Sequence, residues 1–162
     1  MHAASPRTSP ELRARLGPWI PVLLWAATIF VFSTSLFSGE ATGHWIVPIL
    51  RWLFPQATPR QLIALHRAVR KAGHFVEYLV LSVLLYRALR AGRHTRLAAA
   101  GMAILISGLY SVTDELHQLI VPGRTAAASD CVIDVSGAAV GQGLLAAIAR
   151  PDRTVVRNPT AL

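Results

Sequence analysis

Apolar residues of the chain fall into four long runs that are separated by polar segments. The runs cover residues 19–36, 75–89, 97–121 and 131–149. Each is close to the ~20 residues that a helix needs to cross the hydrocarbon core of a bilayer. Helices of soluble proteins usually keep a polar stripe, and the first and last runs have almost none. The pattern predicts an all-α integral membrane protein, a bundle of four membrane-spanning helices.

The connection between the first two runs contains two further helical patterns. Residues 45–54 are apolar and aromatic, but Pro48 interrupts them and they are too few to cross a bilayer, so they predict an interfacial or re-entrant segment. Thr58, Pro59 and Gln61 have the order of a helix start, with Thr58 as N-cap. Apolar residues at 62, 65 and 69 then predict a short extracytoplasmic amphipathic helix, which acts as a lid or contacts anionic head groups.

The charge distribution predicts the orientation in the membrane. The 162 residues include 16 Lys and Arg and 8 Asp and Glu. With four spans, ten basic residues lie on the side of the two tails and the 87–96 loop, where the net charge is +8, and the other side is neutral. The positive-inside rule then places both termini in the cytoplasm. The excess charge favours contact with anionic lipid over nucleic acid.

These features divide the chain into a cytoplasmic Arg-rich tail (1–17), a four-span membrane domain (18–150) and a cytoplasmic tail (151–162). The first tail and first run together also resemble a cleavable signal peptide. The run is long and rich in Trp and Phe for such a peptide, which favours a retained span. Cys131 is the only cysteine, so no disulfide forms within the chain.

Polar and ionisable side chains gather at the predicted outer ends of the spans. On a helix, His74, Glu77 and Tyr78 share one face at the start of the second span. Asp114, His117 and Gln118 share one face at the end of the third. Antiparallel packing brings the two groups to the same level. Such residues are costly in lipid unless they are paired or hydrated, so they predict a ligand-binding site. Its candidate residues are Lys71, His74, Glu77, Tyr78, Asp114, His117, Gln118, Arg124, Asp130 and Asp134.

Small residues on the fourth span predict a close helix contact. Asp134, Gly137 and Gly141 lie in one row, and a row of small residues lets helices approach closely in lipid. Asp134 is therefore predicted to face the interior of the bundle. Glu115 is displaced from Asp114 by about 100° around the helix and ranks below it as a pocket residue unless it pairs with Arg124. Outside these groups and the N-terminal tail, three histidines are predicted to be surface or interfacial residues without a role: His44, His66 and His94.

Four sequence patterns over residues 29–145 resemble those of the VanZ-like membrane proteins. The patterns are Ser33 with Ser35, Arg70-Lys71-x-x-His74-Phe75-x-Glu77-Tyr78, Asp114-Glu115-x-His117-Gln118-x-x-x-Pro122-Gly123-Arg124, and Asp130-x-x-x-Asp134-x-x-Gly137-x-x-x-Gly141. The family is named after a small protein associated with low-level resistance to the glycopeptide teicoplanin, and it often has asparagine at the position of Asp134. The resemblance implies a cell-envelope protein of the bacterial inner (plasma) membrane. It implies no settled biochemical activity.

Three functions fit these observations. Arg124 and its basic neighbours favour binding of a polar or anionic head group, such as that of a lipid-linked cell-wall intermediate. His74 with Glu77, and Asp114 with His117, have the i, i+3 spacing of carboxylate–histidine pairs in helical metal sites, which favours a membrane-embedded enzyme, metal-dependent or acting by acid–base catalysis. The third interpretation is structural ion pairing. We expect the binding function, and assign no catalytic residue, metal ligand, cofactor or oligomeric state.

Overall fold

The computed structural model of the protein describes residues 16–149, so most of the predicted N-terminal tail and all of the predicted C-terminal tail lie outside the described residues. The described part is all-α, as predicted. Two short 3-10 helices, Gly17–Trp19 and Ser35–Phe37, flank the first of five α-helices. The five are α1 Ile20–Phe32, α2 Gly39–Leu53, α3 Pro59–Ala91, α4 Arg96–Ile120 and α5 Ala128–Ile148. Helices α3, α4 and α5 are each long and apolar enough to cross a membrane, which confirms the predicted membrane bundle.

The first predicted span is broken near its end. After α1, the chain bends by 69° into the segment that holds α2. The hydroxyl groups of Ser33 and Thr34 donate to the carbonyl oxygens of Phe30 and Val31, at 2.9 and 2.7 Å, as side chains that compete with helix hydrogen bonds do. The part before the bend, Gly17–Phe32, is about 24 Å long, shorter than the ~30 Å hydrocarbon core. The bundle therefore has four spans if the bent pair counts as one, and three otherwise.

The separate amphipathic helix of the structure is not the one that the sequence predicted. The capping box of Thr58 and Gln61 forms as predicted, but α3 then continues without a break to Ala91. The prediction of a separate helix over 58–71 was wrong, because Gly73 alone does not end a helix. The separate amphipathic helix is α2, which continues through Pro48 and leaves an apolar face exposed. On that face the side chains of Trp45, Ile49 and Trp52 are 78%, 57% and 79% exposed.

Helices α3 and α5 pack with their backbones in contact. A Cβ atom on Gly137 would lie 2.2 Å from the carbonyl oxygen of Phe75, and one on Gly141 would lie 2.9 Å from that of Leu79. The predicted contact through small residues is thus confirmed. Further along the same contact, Gln142 Nε2 donates to the hydroxyl of Ser82 at 2.6 Å. Because Gly137 and Gly141 leave no space between α3 and α5, they fix the position of one helix along the other.

Helices α1 and α2 contact α3 through side chains. The indole Nε1 of Trp25 donates to the carbonyl oxygen of Glu77 at 2.8 Å. His66 is buried on α3, with its Nε2 3.1 Å from the hydroxyl of Thr42 on α2. His66, predicted to be a surface or interfacial residue, is instead buried, because α2 folds back over the start of α3 and covers it.

Candidate functional site

A cavity of about 220 Å³ lies among α1, α2, α3, α4 and the α4–α5 loop. We call this end of the bundle, where α4 ends and α5 begins, the polar end. Apolar residues such as Ile29, Phe32 and Val69 form part of the cavity wall. Polar side chains form the rest: Ser33, Thr42, Arg70, His74, Glu77, Asp114, Gln118 and Arg124. Five of the ten predicted ligand-binding residues are thus brought together around one cavity, which we call the main cavity.

Asp114 and Gln118 form a buried pair at the wall of the main cavity. Their side chains are one turn apart on α4, so they lie on one face. Gln118 Nε2 donates to Asp114 Oδ2 at 3.1 Å, and the two residues are only 1% and 5% exposed. Glu77 faces the same cavity from α3, and its carboxylate has no hydrogen-bond partner within residues 16–149. The cavity therefore offers both a fixed acceptor and an unpaired one.

Arg124 enters the main cavity from a tight turn after α4. The turn follows from Pro122 and from Gly123, whose φ of +76° suits a residue without a Cβ. Arg124 Nε donates to the carbonyl oxygen of Thr34 at 3.1 Å, which fixes the side chain. Its terminal nitrogens have no hydrogen-bond partner in the described part of the chain. Burial, with the nearby guanidinium of Arg70, lowers the pKa of Arg124.

A second cavity of about 210 Å³ adjoins the first. Lys71 Nζ lies 2.5 Å from Asp130 Oδ1 at its rim, and the two side chains are 45% and 17% exposed. Such a partly exposed pair contributes little to stability. His74 and Arg70 line both cavities. Lys71 and Asp130 thus belong to the second cavity, and His74 lies in the wall between the two.

Asp134 is completely buried between α3, α4 and α5, as the row of small residues predicted. Its Oδ2 accepts a hydrogen bond from the hydroxyl of Ser111 at 2.7 Å. Its Oδ1 lies 3.3 Å from His74 Nδ1, close enough for an ion pair, although the two atoms do not have hydrogen-bond geometry. The approach of α5 to α3 at Gly137 is what brings these two side chains together.

Three predicted ligand-binding residues line neither cavity: the buried Asp134, Tyr78 and His117. Tyr78 is 0% exposed in the hydrophobic core, where its ring centroid is 6.3 Å from that of Tyr110. His117 packs on α1, with Nδ1 2.8 Å from the hydroxyl of Ser33 and its ring stacked on Phe30. An i, i+3 step turns a side chain by about 60° around the helix, and this turn carries His117 away from Asp114 to a different neighbour.

Glu115 lines neither cavity, in agreement with its lower rank as a pocket residue, but it is buried near Asp134. It is 7% exposed, and its Oε2 accepts a hydrogen bond from the backbone N–H of Ala127 at 2.7 Å. Together with His74 and Asp134 it forms a group whose potential ligand atoms all lie within 4.8 Å of one another. The residue next to Asp114 turns towards α5 instead of the main cavity. No pattern in the sequence indicates whether α5 meets the face of α4 that holds Asp114 or the face that holds Glu115.

Comparison with known proteins identifies the family. Searches of curated proteins and of solved structures gave no match. A family model described as VanZ/LLP1 matches residues 18–149, a range that contains all five helices and both cavities. The range also contains three helices long enough to cross a membrane, or four spans with the bent pair. The chain therefore belongs to the VanZ/LLP1 family and is a multi-pass membrane protein.

Proposed function

We propose that the protein binds a polar or anionic head group, such as that of a lipid-linked cell-wall intermediate, in the main cavity. The observation that carries this proposal is the pair of guanidinium groups, Arg70 and Arg124, beside an apolar wall. Neither forms an ion pair with an acid in residues 16–149. Buried or half-buried cations usually have an anionic partner, and a ligand would supply it.

The position of Arg124 supports recognition of a phosphate or carboxylate. Because Nε is held by the Thr34 carbonyl, the guanidinium is already oriented and its terminal nitrogens are available. The planar guanidinium matches the geometry of phosphate and carboxylate oxygens. An anion between Arg70 and Arg124 would also relieve the repulsion that helps to lower the pKa of Arg124.

The remaining lining supports a ligand that is partly sugar and partly lipid. Glu77, Asp114 and Gln118 offer acceptors and a donor for hydroxyl groups, and Ile29 and Phe32 offer apolar contact. The cavity of about 220 Å³ is smaller than a typical small-molecule pocket of ~300–1,000 Å³. This size suits a head group whose lipid part stays in the bilayer.

Native mass spectrometry of the protein purified in mild detergent tests this proposal. We expect an anionic or lipid-linked species to copurify with the wild type and to be lost in Arg70→Ala and Arg124→Ala. Arg60→Ala is the matched control, because Arg60 is an exposed arginine on α3 outside both cavities. Equal retention of the species in all three variants would contradict the proposed site.

We further propose a bacterial inner (plasma) membrane location with the main cavity on the extracytoplasmic side. The excess of basic residues on the opposite side supports this orientation, and both termini are then cytoplasmic if the bent pair is one span. Labelling of single cysteines in a Cys131→Ser background tests it. A cysteine at Gln56 should react with an impermeant reagent in intact cells, and one at Gly92 should not. The opposite pattern would reverse the orientation.

The family's association with teicoplanin resistance supports a role in glycopeptide susceptibility. Production of the protein in a susceptible bacterium should raise the inhibitory concentration of teicoplanin, and Arg124→Ala should abolish the rise at equal abundance in the membrane. An unchanged susceptibility with the wild type would remove this part of the proposal and leave head-group binding to be judged by mass spectrometry.

A membrane-embedded enzyme is the second candidate, and the unpaired carboxylate of Glu77 is the observation that favours it. Beside Asp114 and His74, this group could accept or donate a proton during a reaction of a bound head group. If so, the copurified species should change mass on incubation with the wild type, and Glu77→Gln should bind it unchanged. An unaltered ligand with the wild type would leave a binding protein.

A further inference from the structure

Three buried polar atoms at the polar end have no hydrogen bond within residues 16–149 and belong to residues that lie close together. They are His74 Nδ1, Glu115 Oε1 and Asp134 Oδ1, and none has a hydrogen-bond partner in the described part of the chain. Glu115 and Asp134 are 7% and 0% exposed. Buried polar atoms in folded proteins nearly always have a partner, so three such atoms in one place indicate that a ligand belongs between them.

The second oxygen of each carboxylate is held by the protein. Glu115 Oε2 accepts from the backbone N–H of Ala127, and Asp134 Oδ2 accepts from the hydroxyl of Ser111, both at 2.7 Å. The remaining oxygen of Asp134 lies 3.3 Å from His74 Nδ1, and the remaining oxygen of Glu115 is buried without a hydrogen-bond partner among the described residues. Metal-binding carboxylates are typically oriented in this way, with one oxygen hydrogen-bonded and the other free for the ion.

The distances suit a bound metal ion. Two ligand atoms at 2.0–2.2 Å from an ion in tetrahedral geometry are about 3.4 Å apart. His74 Nδ1 and Asp134 Oδ1 are 3.3 Å apart, and Glu115 contributes an oxygen within 4.8 Å of both. A small movement of the Glu115 side chain would complete a three-ligand set contributed by α3, α4 and α5.

The charges favour a dication. Two buried carboxylates repel each other, and their desolvation is unfavourable unless a cation compensates it. The cationic groups nearby are engaged elsewhere or face the cavities: Lys71 pairs with Asp130, and Arg124 bonds to Thr34. A dication with a neutral imidazole would balance both carboxylates.

We propose that His74, Glu115 and Asp134 bind one divalent first-row transition metal ion of the Zn²⁺ type. One imidazole with two carboxylates suits such an ion better than Ca²⁺ or Mg²⁺, which prefer all-oxygen sites. Three protein ligands leave a coordination position for water or an anionic oxygen. Ions can reach His74 from either cavity. The proposal does not depend on head-group binding, and its test measures metal alone.

Metal titration of the full chain in detergent tests the proposal. After removal of metals with a chelator, the wild type should bind one Zn²⁺ per chain, counted by elemental analysis after desalting. Glu115→Gln and Asp134→Asn should each weaken binding by about 100-fold or more, and Asp130→Asn should change it by less than about twofold. Asp130 is the matched control, because it lies one turn before Asp134 on α5 and pairs with Lys71.

Circular dichroism checks that each variant keeps its helices. If Asp134→Asn does not fold, Glu115→Gln and the visible spectrum of Co²⁺ bound to the wild type decide the question. The spectrum should show the bands of nitrogen and oxygen coordination and should vanish when Zn²⁺ displaces Co²⁺. A wild type that binds neither ion, or equal Zn²⁺ affinity in Glu115→Gln and Asp130→Asn, would overturn the proposal. The first result would indicate that a protonated His74 alone compensates the two acids.

Discussion

Helix α5 on the one hand, and helices α1 and α2 on the other, hold α3 in different ways. Helix α5 meets it backbone to backbone at Gly137 and Gly141, with no space for a single added carbon. Helices α1 and α2 meet it through side chains, such as Trp25 and His66, and expose large apolar groups on their other faces. One wall of the main cavity is therefore α3, whose position is fixed by its backbone contact with α5. Another wall is formed by α1 and α2, whose position depends on side-chain contacts. Mutations at the two walls should therefore change the free energy of unfolding to different extents.

The largest effect on stability is expected at the backbone contact between α3 and α5. Gly137→Ala places a carbon 2.2 Å from the carbonyl oxygen of Phe75, which is backbone and cannot rotate away, so α3 and α5 must separate. We expect a loss of about 3 kcal/mol or more in the free energy of unfolding, at the upper end for overpacking. Reversible unfolding in mixed detergent, followed by circular dichroism, measures it. Gly143→Ala is the control, since its added carbon meets no atom within 4 Å.

A medium effect is expected for the hydrogen bonds further along the same contact. Ser82 and Gln142 are both buried and bonded to each other. A double-mutant cycle with Ser82→Ala and Gln142→Ala should give a coupling of about 0.5–1.5 kcal/mol, the range found for polar contacts between membrane helices. Additive effects of the two substitutions would contradict a direct interaction.

A smaller effect is expected at the wall held by side chains. Trp25→Phe keeps the aromatic ring but removes the donor to the Glu77 carbonyl, which should cost about 0.5–1 kcal/mol. Trp45→Phe is the control, because Trp45 is 78% exposed on α2. If the two variants unfold with equal free energies, the indole hydrogen bond contributes nothing to the attachment of α1.

The smallest effect on stability is expected on the exposed face of α2. Trp52→Ala should change the free energy of unfolding by less than about 0.5 kcal/mol, as exposed substitutions usually do. In lipid, however, the indole of Trp52 should be quenched by brominated acyl chains, because this face is expected to lie at the membrane interface. Fluorescence of a variant that keeps Trp52 as its only tryptophan measures this, and an unquenched indole would place the face in water.

The sequence predicted the long helices well and the first helix poorly. Charges and the Pro122–Gly123 turn mark the ends of α4 and α5, so these ends were predicted to within a few residues. The bend after α1 was missed, because serine and threonine hydroxyls are compatible with a continuing helix. The continuity of α3 was missed, because the change from polar to apolar near Lys71 marks a change of surroundings and not the end of a helix.

The sequence predicted only part of the site, and the reason is related. Helical spacing predicted that His74, Glu77 and Tyr78 share one face and that Asp114, His117 and Gln118 share another. Four of these six residues line one cavity, whereas Tyr78 and His117 do not. Spacing does not show which neighbour each face of α4 meets. It therefore predicted that Asp114 and not Glu115 belongs to the pocket, but it did not predict that Glu115 lies near Asp134. Which atoms lack a partner depends on the packing of three helices, and a metal site was therefore not assigned from the sequence.

The length of the unbroken α3 limits how deep its polar residues can lie in a bilayer. Its 33 residues extend about 50 Å, well beyond the ~30 Å hydrocarbon layer. With Ala91 at one edge of that layer, His74 stands about 26 Å above it, just inside the opposite edge. A bilayer that is thinner by a few ångströms would leave the histidine and its acids among the head groups, and a thicker one would draw them into hydrocarbon. Lipid thickness alone can thus change how much water the site meets, without any change in the protein.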